Sequence, residues 1–438
     1  PVPRKRSADA ARNGTDEARS ADVTMLEQSR TYAAHEEIPA QSAVRKILDK
    51  IPAGNDAVAK MLPAECYTSS EFFEFERKHV FANSWLCVGR VEQVANAGDC
   101  ISARPAGEPI LVTRTPAGDL RAMAAVCRHR GQMIPCADNQ KTFRCPLHFW
   151  TYDLEGKLIG APRMGRDDTS DLRKSERLTP VRLELWHGFI FVNLDPLAEP
   201  LAPTLAKVEP FWSGYENADL IGIPPRLADQ PLPWNWKIHV ENFTDAYHPE
   251  FVHRGTHDFA PSVMSDGGVE FTDMKPGDNA IVRTVPMLKP DGGMNKDGWG
   301  ENPAFPPISA ISAAQRQRLT FVMIPPSMTL VFAPNAIAFT LLSATGVEAT
   351  FASSDRQTAG GWLLPRSTTE LPDFKERAAL VMEGGAKIWA QDVPENTGMQ
   401  SAKKSRFTPE GIYGPLEITL VQFNAWLVEA YRRAAQRI

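Results

Sequence analysis

Apolar residues change their spacing along this chain, and the changes predict its elements. In SAVRKILDKI the apolar positions Val44, Ile47, Leu48 and Ile51 recur at a helical period. Further on, Ser69 and Ser70 precede Glu71 and the run Phe72, Phe73, Phe75, Val80, Phe81. A hydroxyl ahead of an acid and an apolar stripe is a helix start, because the side-chain oxygen accepts from a free N–H of the first turn. From Trp85 the texture becomes strand and turn. EPILVTR and LRAMAAV flank the turn PAGD, and TFRCPLHFWTYDL and LIGAP flank EGK, which predicts two hairpins. LELWHGFIFVNL at 183–194 predicts one further strand that closes this region. After Pro196 a Pro-rich link leads into mixed helix and strand.

Leu319 to Val347 carries no charged residue, yet Pro325, Pro326 and Pro334 interrupt it. It reads as three strands, LTFVMI, MTLVFA and AIAFTLL, rather than a bilayer-spanning helix. Residues 287–307 are rich in Gly and Pro and aperiodic, which predicts a long loop placed as a lid. The C-terminal LEITLVQFNAWLVEAYRRAAQRI is an amphipathic helix with Arg432, Arg433 and Arg437 at the end where the helix dipole favours cations.

A length of 438 residues predicts about two to four domains. The net charge of −5 argues against a nucleic-acid or anionic-membrane partner. PVPRKRSADAARNGTDEARSAD has no apolar core for a signal peptide, so residues 1–40 are expected to be a disordered tail and the protein to be cytoplasmic. Four of the six cysteines, Cys66, Cys87, Cys100 and Cys136, are expected to be reduced thiols acting as small buried hydrophobes. No G-x-G-x-x-G fingerprint occurs, so NAD(P)H is expected to act only indirectly, through another protein.

The remaining cysteines carry the chemistry. Cys127 and His129 lie in CRHRG, and Cys145 and His148 in CPLHFW. Two thiolates and two imidazoles on paired loops suit a Rieske [2Fe–2S] cluster, in which two Cys bind one iron and two His the other. Structural zinc also takes Cys₂His₂, but its usual order groups the cysteines before the histidines, whereas here they alternate. The extra disulfide of respiratory Rieske proteins has no counterpart, since Gln132 and Leu147 stand at the matching positions.

A second constellation lies in WNWKIHVENFTDAYHPEFVHRGTHDF, residues 234–259. Two His and one carboxylate on one face of a ferrous ion leave the opposite positions open for O₂ and substrate. His248 and His253 are candidate ligands, with Asp245 one helical turn before His248. His253 stands five residues on, so Pro249 is expected to end or kink the helix and bring it back. His257 is the rival, because it pairs with His253 at i, i+4. The third carboxylate must come from elsewhere in the chain.

Together these stretches resemble the large (α) subunit of Rieske non-haem iron oxygenases, the ring-hydroxylating oxygenase family. The resemblance rests on CRHRG, CPLHFWTYDLEGKL, ENFTDAYHPEFVH and, more weakly, WAQDVPE followed by GPLE. It implies an α+β chain: an all-β Rieske domain at 85–196 and a helix-grip catalytic domain at 197–438, a curved antiparallel sheet over a long helix. Residues 41–84 would be helices packed on the catalytic domain. It further implies that His248, His253 and Asp392 hold a mononuclear Fe(II), with Glu383 and Glu395 as competitors of Asp392. Asp245 would bridge to a cluster histidine of a neighbouring subunit in a head-to-tail homotrimer, with or without a small β subunit, and Asn242 would lie near the iron. The partners implied are a reductase or ferredoxin, O₂ and a small-molecule substrate, with an aromatic substrate favoured. Hydroxylation of an N- or O-methyl group, including that of a quaternary ammonium, and an electron carrier with an inactive second site are the alternatives. One departure is Phe149, where many relatives have Gly; it puts the loop conformation in question.

Overall fold

The computed structural model describes residues 39–51, 59–164, 168–223, 232–265, 267–350 and 360–437. The tail expected at the N-terminus lies mostly outside the described residues. Contacts divide the chain between Lys46 and Ile47. Helix α1, Pro39–Leu48, covers the first predicted helix. Helix α2, Ser70–Phe75, begins as its sequence requires: Ser69 Oγ accepts from the Phe72 N–H at 3.1 Å. A π-helical turn, Glu76–Val80, continues it.

Among the described residues nine strands follow: β1 Leu86–Arg90, β2 Cys100–Ala103, β3 Ile110–Arg114, β4 Leu120–Ala124, β5 Phe143–Arg144, β6 Thr151–Tyr152, β7 Leu158–Gly160, β8 Pro180–Trp186 and β9 Phe189–Asn193. They form a six-stranded sheet in the order β1-β9-β8-β4-β3-β2 and a small sheet β5-β6-β7. Both predicted hairpins are present. The single strand expected at 183–194 is instead two strands, β8 and β9, with Trp186 opposite Phe189. His187 and Gly188 take φ of 46° and 77°, the left-handed pair whose twist matches a two-residue hairpin. Apolar residues flank the turn on both sides, which hid it in the sequence.

One expectation about the cysteines is corrected. Cys100 on β2 and Cys136, in the segment after the first cluster loop, form a disulfide with Cα atoms 5.9 Å apart. They stand 36 positions apart in the sequence, so only the folded neighbourhood reveals the pairing. Cys66 and Cys87 are free and buried, and burial pushes the Cys87 thiol up to about 12.

The second large sheet has seven strands: β10 Leu220–Ile223, β11 Glu270–Thr272, β12 Ile281–Pro286, β13 Arg318–Ile324, β14 Met328–Ala333, β15 Ala336–Leu341 and β16 Gly360–Pro365, in the order β10-β16-β15-β14-β13-β12-β11. The uncharged stretch is thus the centre of an antiparallel sheet. Among the described residues no helix is long and apolar enough to cross a membrane. Strand alternation gives this sheet two faces. Val282 and Val322 join Trp85, Phe189, Phe191 and Phe339 in a core shared with the first sheet. On the other face Val285, Leu319 and Phe321 pack with Phe259, Phe243 and Trp299.

The helices that bear on the sites are α3, Trp236–Thr244, α4, Pro249–Val252, α5, Phe374–Ala402, and α6, Ile418–Ala435. The predicted long loop at 287–307 is corrected as well: it contains a hairpin, Gly293–Asn295 with Gly298–Gly300. This hairpin lies so close to α5 that a Cβ on Gly384 would stand 1.8 Å from Asn295 O, so only glycine fits there. One buried ion pair locks three elements. Lys237 of α3 donates to both oxygens of Glu76 at 2.8 and 3.0 Å, and Tyr431 of α6 donates to the same carboxylate at 2.6 Å.

Candidate metal centres

The two Cys–His loops share one backbone form. In the first, the Cys127 N–H donates to Gln132 O and the Gly131 N–H returns to Cys127 O; in the second, Cys145 and Trp150, then Phe149 and Cys145, do the same. The residues at the matching turn positions are left-handed: Gly131 has φ 73° and Phe149 has φ 59°. That is why glycine suits the place of Phe149, and why phenylalanine there costs about 1 kcal/mol of backbone strain. The Arg144 guanidinium lies over its ring at 5.1 Å, which offsets part of that cost.

These loops bury both sulfurs and leave both imidazoles towards the surface, His148 exposed and His129 half-buried. The His129 and His148 rings are 4.8 Å apart, and His129 stacks on Trp150. Tyr152 OH accepts from the Arg128 N–H at 3.0 Å and shares a hydrogen bond with Cys127 Sγ at 3.3 Å. Burial pushes the Cys127 thiol up against that hydrogen bond, and the neighbouring Cys145 adds to the rise. A buried Cys127 thiol beside a second sulfur stays protonated until a cation neutralises it, which fits an iron–sulfur cluster. Among the described residues only one trio gathers its donor atoms within 4.8 Å, and it is not drawn from these four.

The trio is His248, His253 and Asp392. Here local structure departs from expectation. Helix α3 stops at Thr244, and Asp245 is extended, with φ −64° and ψ 130°. Asp245 and His248 therefore share no helical face. The Asp245 carboxylate instead accepts from the Tyr247 N–H at 2.6 Å and the His248 N–H at 3.2 Å, an Asx-type turn. Pro249 does not end a helix; it opens α4 at the position where its missing N–H is not needed. His248 and His253 are the two caps of that single turn, and this brings a five-residue spacing into one site.

Each imidazole is oriented by its second nitrogen. His248 Nδ1 lies 3.0 Å from Asp245 Oδ2, and His253 Nδ1 lies 3.0 Å from Gln391 Oε1. Protons held at both Nδ1 atoms leave two Nε2 lone pairs facing each other at 3.2 Å. Asp392 Oδ1 completes the set, 3.2 Å from His253 Nε2 and 3.7 Å from His248 Nε2. Three electron-rich atoms directed at one point repel unless a cation lies among them, so the residues fit a metal ion of the two-His, one-carboxylate kind. Asn242 donates to the same Asp392 oxygen at 3.1 Å. Burial alone would raise the Asp245 carboxyl, but His248 and the two backbone donors hold it below its ordinary value.

The rivals lie elsewhere. His257 is buried beside His253, ring centroids 6.2 Å apart, and stays outside the trio. Glu383 pairs with Lys387 on the surface, and Glu395 is exposed. Gln391, which Thr256 also hydrogen-bonds at 2.7 Å, was not found from sequence; its one signal is adjacency to Asp392. Arg283, buried near the trio, was missed too.

Residues 84–180 match the Rieske [2Fe-2S] domain family, and residues 214–433 match the ring hydroxylating alpha subunit (catalytic domain) family. The chain is 33% identical over 222 residues to a carnitine monooxygenase oxygenase subunit of Escherichia coli, a stretch covering 48% of this chain and 56% of that protein. It spans, that is, little more than half the length of that relative. It is 28% identical over 369 residues to the large oxygenase component of a 2,4-dinitrotoluene dioxygenase system of a Burkholderia species, covering 77% of this chain and 78% of the relative. Its fold is similar to that of a quaternary ammonium Rieske monooxygenase bound to L-carnitine, at 23% identity with a TM-score of 0.64 over 90% of this chain and 99% of that one. A naphthalene 1,2-dioxygenase from a Rhodococcus species gives 20% identity and a TM-score of 0.66, over 90% and 98% of the two chains.

Proposed function

The chain belongs to the family of ring-hydroxylating oxygenase alpha subunits, and from that premise we propose that it is a terminal oxygenase component, using O₂ and electrons from a separate reductase or ferredoxin to hydroxylate a small organic molecule. The observation that carries the reading is the convergence of His248 Nε2, His253 Nε2 and Asp392 Oδ1 on one point, with each ring held from behind.

In this reading Cys127, His129, Cys145 and His148 hold a [2Fe–2S] cluster, and His248, His253 and Asp392 hold a ferrous ion. When bound, the cluster stores one electron at a time and the ferrous ion offers open positions at which O₂ is activated. The protein's own part is orientation. Asp245 keeps the His248 proton on Nδ1, Gln391 does the same for His253, and Asn242 fixes the Asp392 carboxylate. Phe243, Phe259, Phe321 and Trp299 form an apolar cluster that reaches His253 of the trio through the His257 ring, and such a lining favours a flat or apolar reacting group.

An aromatic substrate is the first reading. Attack on an N-methyl group is the second, favoured by two relatives that carry names of that chemistry, the carnitine monooxygenase subunit and an N,N-dimethyl phenylurea N-demethylase subunit of a Sphingobium species. A head-to-tail ring of three copies also belongs to the proposal. Exposed apolar residues surround each centre, Met133, Leu147 and Phe149 at the cluster tip and Tyr247 and Phe251 beside Asp245. Docking one patch on the other would bring Asp245 towards His148 of the partner subunit.

Oxygen uptake by the iron-loaded protein with a ferredoxin–reductase pair, coupled to product mass, tests the function. Uptake that depends on an organic compound and adds one or two oxygen atoms to it is expected. A protein that passes electrons to an artificial acceptor, yet consumes no O₂ with any compound of a broad aromatic and N-methyl panel, would show the electron-carrier reading to be correct.

A further inference from the structure

Arg283 is a buried cation with no ion-pair partner among the described residues. It sits on β12 directly opposite Phe321 of β13, only 3% exposed. Its Nη2 donates to Phe243 O at 3.3 Å, while Nε and Nη1 have no hydrogen-bond partner among the described residues. No carboxylate forms an ion pair with it among the described residues. Asp245, the acid whose charge it feels, is already committed to His248 and two backbone N–H groups. Its guanidinium lies 3.9 Å over the Phe321 ring, which lessens the penalty of burial but leaves two donor nitrogens unanswered. An unpaired charge is among the costliest things a protein interior can hold.

Its position says what would answer it. The register places Arg283 on the sheet face that carries Phe321 and Val285, the face that packs with Phe243, Phe259 and Trp299. His257 lies there as well, 7% exposed, its Nδ1 also without a hydrogen-bond partner, between the Phe321 ring and His253 of the trio. Burial and the nearby Arg283 keep that imidazole neutral, with its pKa lowered to about 3. The Nη2 hydrogen that Phe243 leaves free makes, with one of the two unpartnered nitrogens, a planar donor pair in an apolar wall, and such a pair matches a carboxylate, whose two coplanar oxygens accept together. A bare quaternary ammonium fits poorly, since it would face a like charge and find the Phe321 ring already covered.

We propose that Arg283 anchors a carboxylate of the substrate, so that the site takes organic acids and presents their far end to His248, His253 and Asp392. This rests on the oxygenase reading and narrows its substrate class. The acid can be aromatic or the acid end of a zwitterion; the recognised group is the same.

Anaerobic calorimetry on the iron-loaded protein tests it without turnover. The probes are benzoate, phenoxyacetate, 3-phenylpropionate and carnitine, each beside its primary amide, with choline as a cation lacking the acid. At least one acid is expected to bind ten-fold or more tighter than its amide, and benzoate against carnitine then separates the aromatic from the zwitterionic source. Arg283→Gln should abolish the preference, a loss of about 10- to 100-fold for the acid and little for the amide. Arg283→Lys should keep part of it. Arg283→Met, which removes an unpaired charge, should unfold at a temperature no lower than the wild type without ligand. The proposal is overturned if no acid is preferred to its amide, if Arg283→Gln keeps the preference or weakens acid and amide equally, or if Arg283→Met is strongly destabilised, since the charge is then paired. Arg283-dependent acid binding by a protein that takes up no O₂ with any compound of the aromatic and N-methyl panel would sink the oxygenase reading while leaving Arg283 as a carboxylate site.

Discussion

Asp245 carries more of the proposed function than any residue that is not itself a ligand. Its carboxylate closes the turn after α3, orients His248 and lies near the surface patch formed by Tyr247 and Phe251. If it links the two centres, Asp245→Ala should retain both metal sites, seen as unchanged iron content and an unchanged cluster spectrum, while turnover falls by two orders of magnitude or more. Full activity in that variant would refute the bridging role. Residue identities were the most legible part of the sequence: His248, His253, Asp245 and Asp392 all come from motif and resemblance, and the structure brings the three ligand candidates together. Gln391 and Arg283 were not legible, because nothing in a linear pattern marks which polar side chain faces inward.

At the scale of elements, the ion pair of Glu76 and Lys237 ties the first turn of α3 to the π-helical turn, and α3 ends at its C-cap, Asp245. Both side chains are fully buried. Glu76→Ala strands the ammonium and leaves Tyr431 without its acceptor, so unfolding should cost about 3–5 kcal/mol less than in the wild type, measured in urea. A loss under about 1 kcal/mol would show that water replaces the pair. Glu92 gives a pH-dependent counterpart. It pairs with Arg90 at 2.7 Å and accepts from the Gly222 N–H of β10 at 3.0 Å, tying the two sheets. Burial acts to raise its carboxyl, but Arg90 and the backbone donors win and hold it below its ordinary value. A depressed carboxyl stabilises the fold above its unfolded pKa, about 4.3, and loses that contribution as pH falls through the folded value. The stability gap between wild type and Glu92→Gln should therefore be level near pH 7 and close below about pH 4. A gap that persists into acid would contradict the assignment. Where element prediction failed, at His187-Gly188, Pro249 and the 293–300 hairpin, the cause was a local backbone choice. A left-handed pair, a proline at N1 and glycines in a docked hairpin each read in sequence as a break or as nothing.

For the whole molecule, the order of parts was legible and their union was not. Motif and texture located a strand-rich first half carrying the Cys–His loops and a second half with a sheet and a long helix. They did not show that the two large sheets share one core through Trp85, Phe189, Val282 and Val322, nor that Cys100 meets Cys136. Such contacts join residues tens to hundreds of positions apart, which no period can encode. The account's central claim is that this one chain holds two iron centres of different kinds. Iron and acid-labile sulfide analysis with paramagnetic resonance, on the iron-loaded wild type and on His248→Ala, tests it most directly. The prediction is about three irons and two sulfides per chain, with His248→Ala losing about one iron and keeping the cluster spectrum. About two irons in both proteins, all within the cluster, would contradict it.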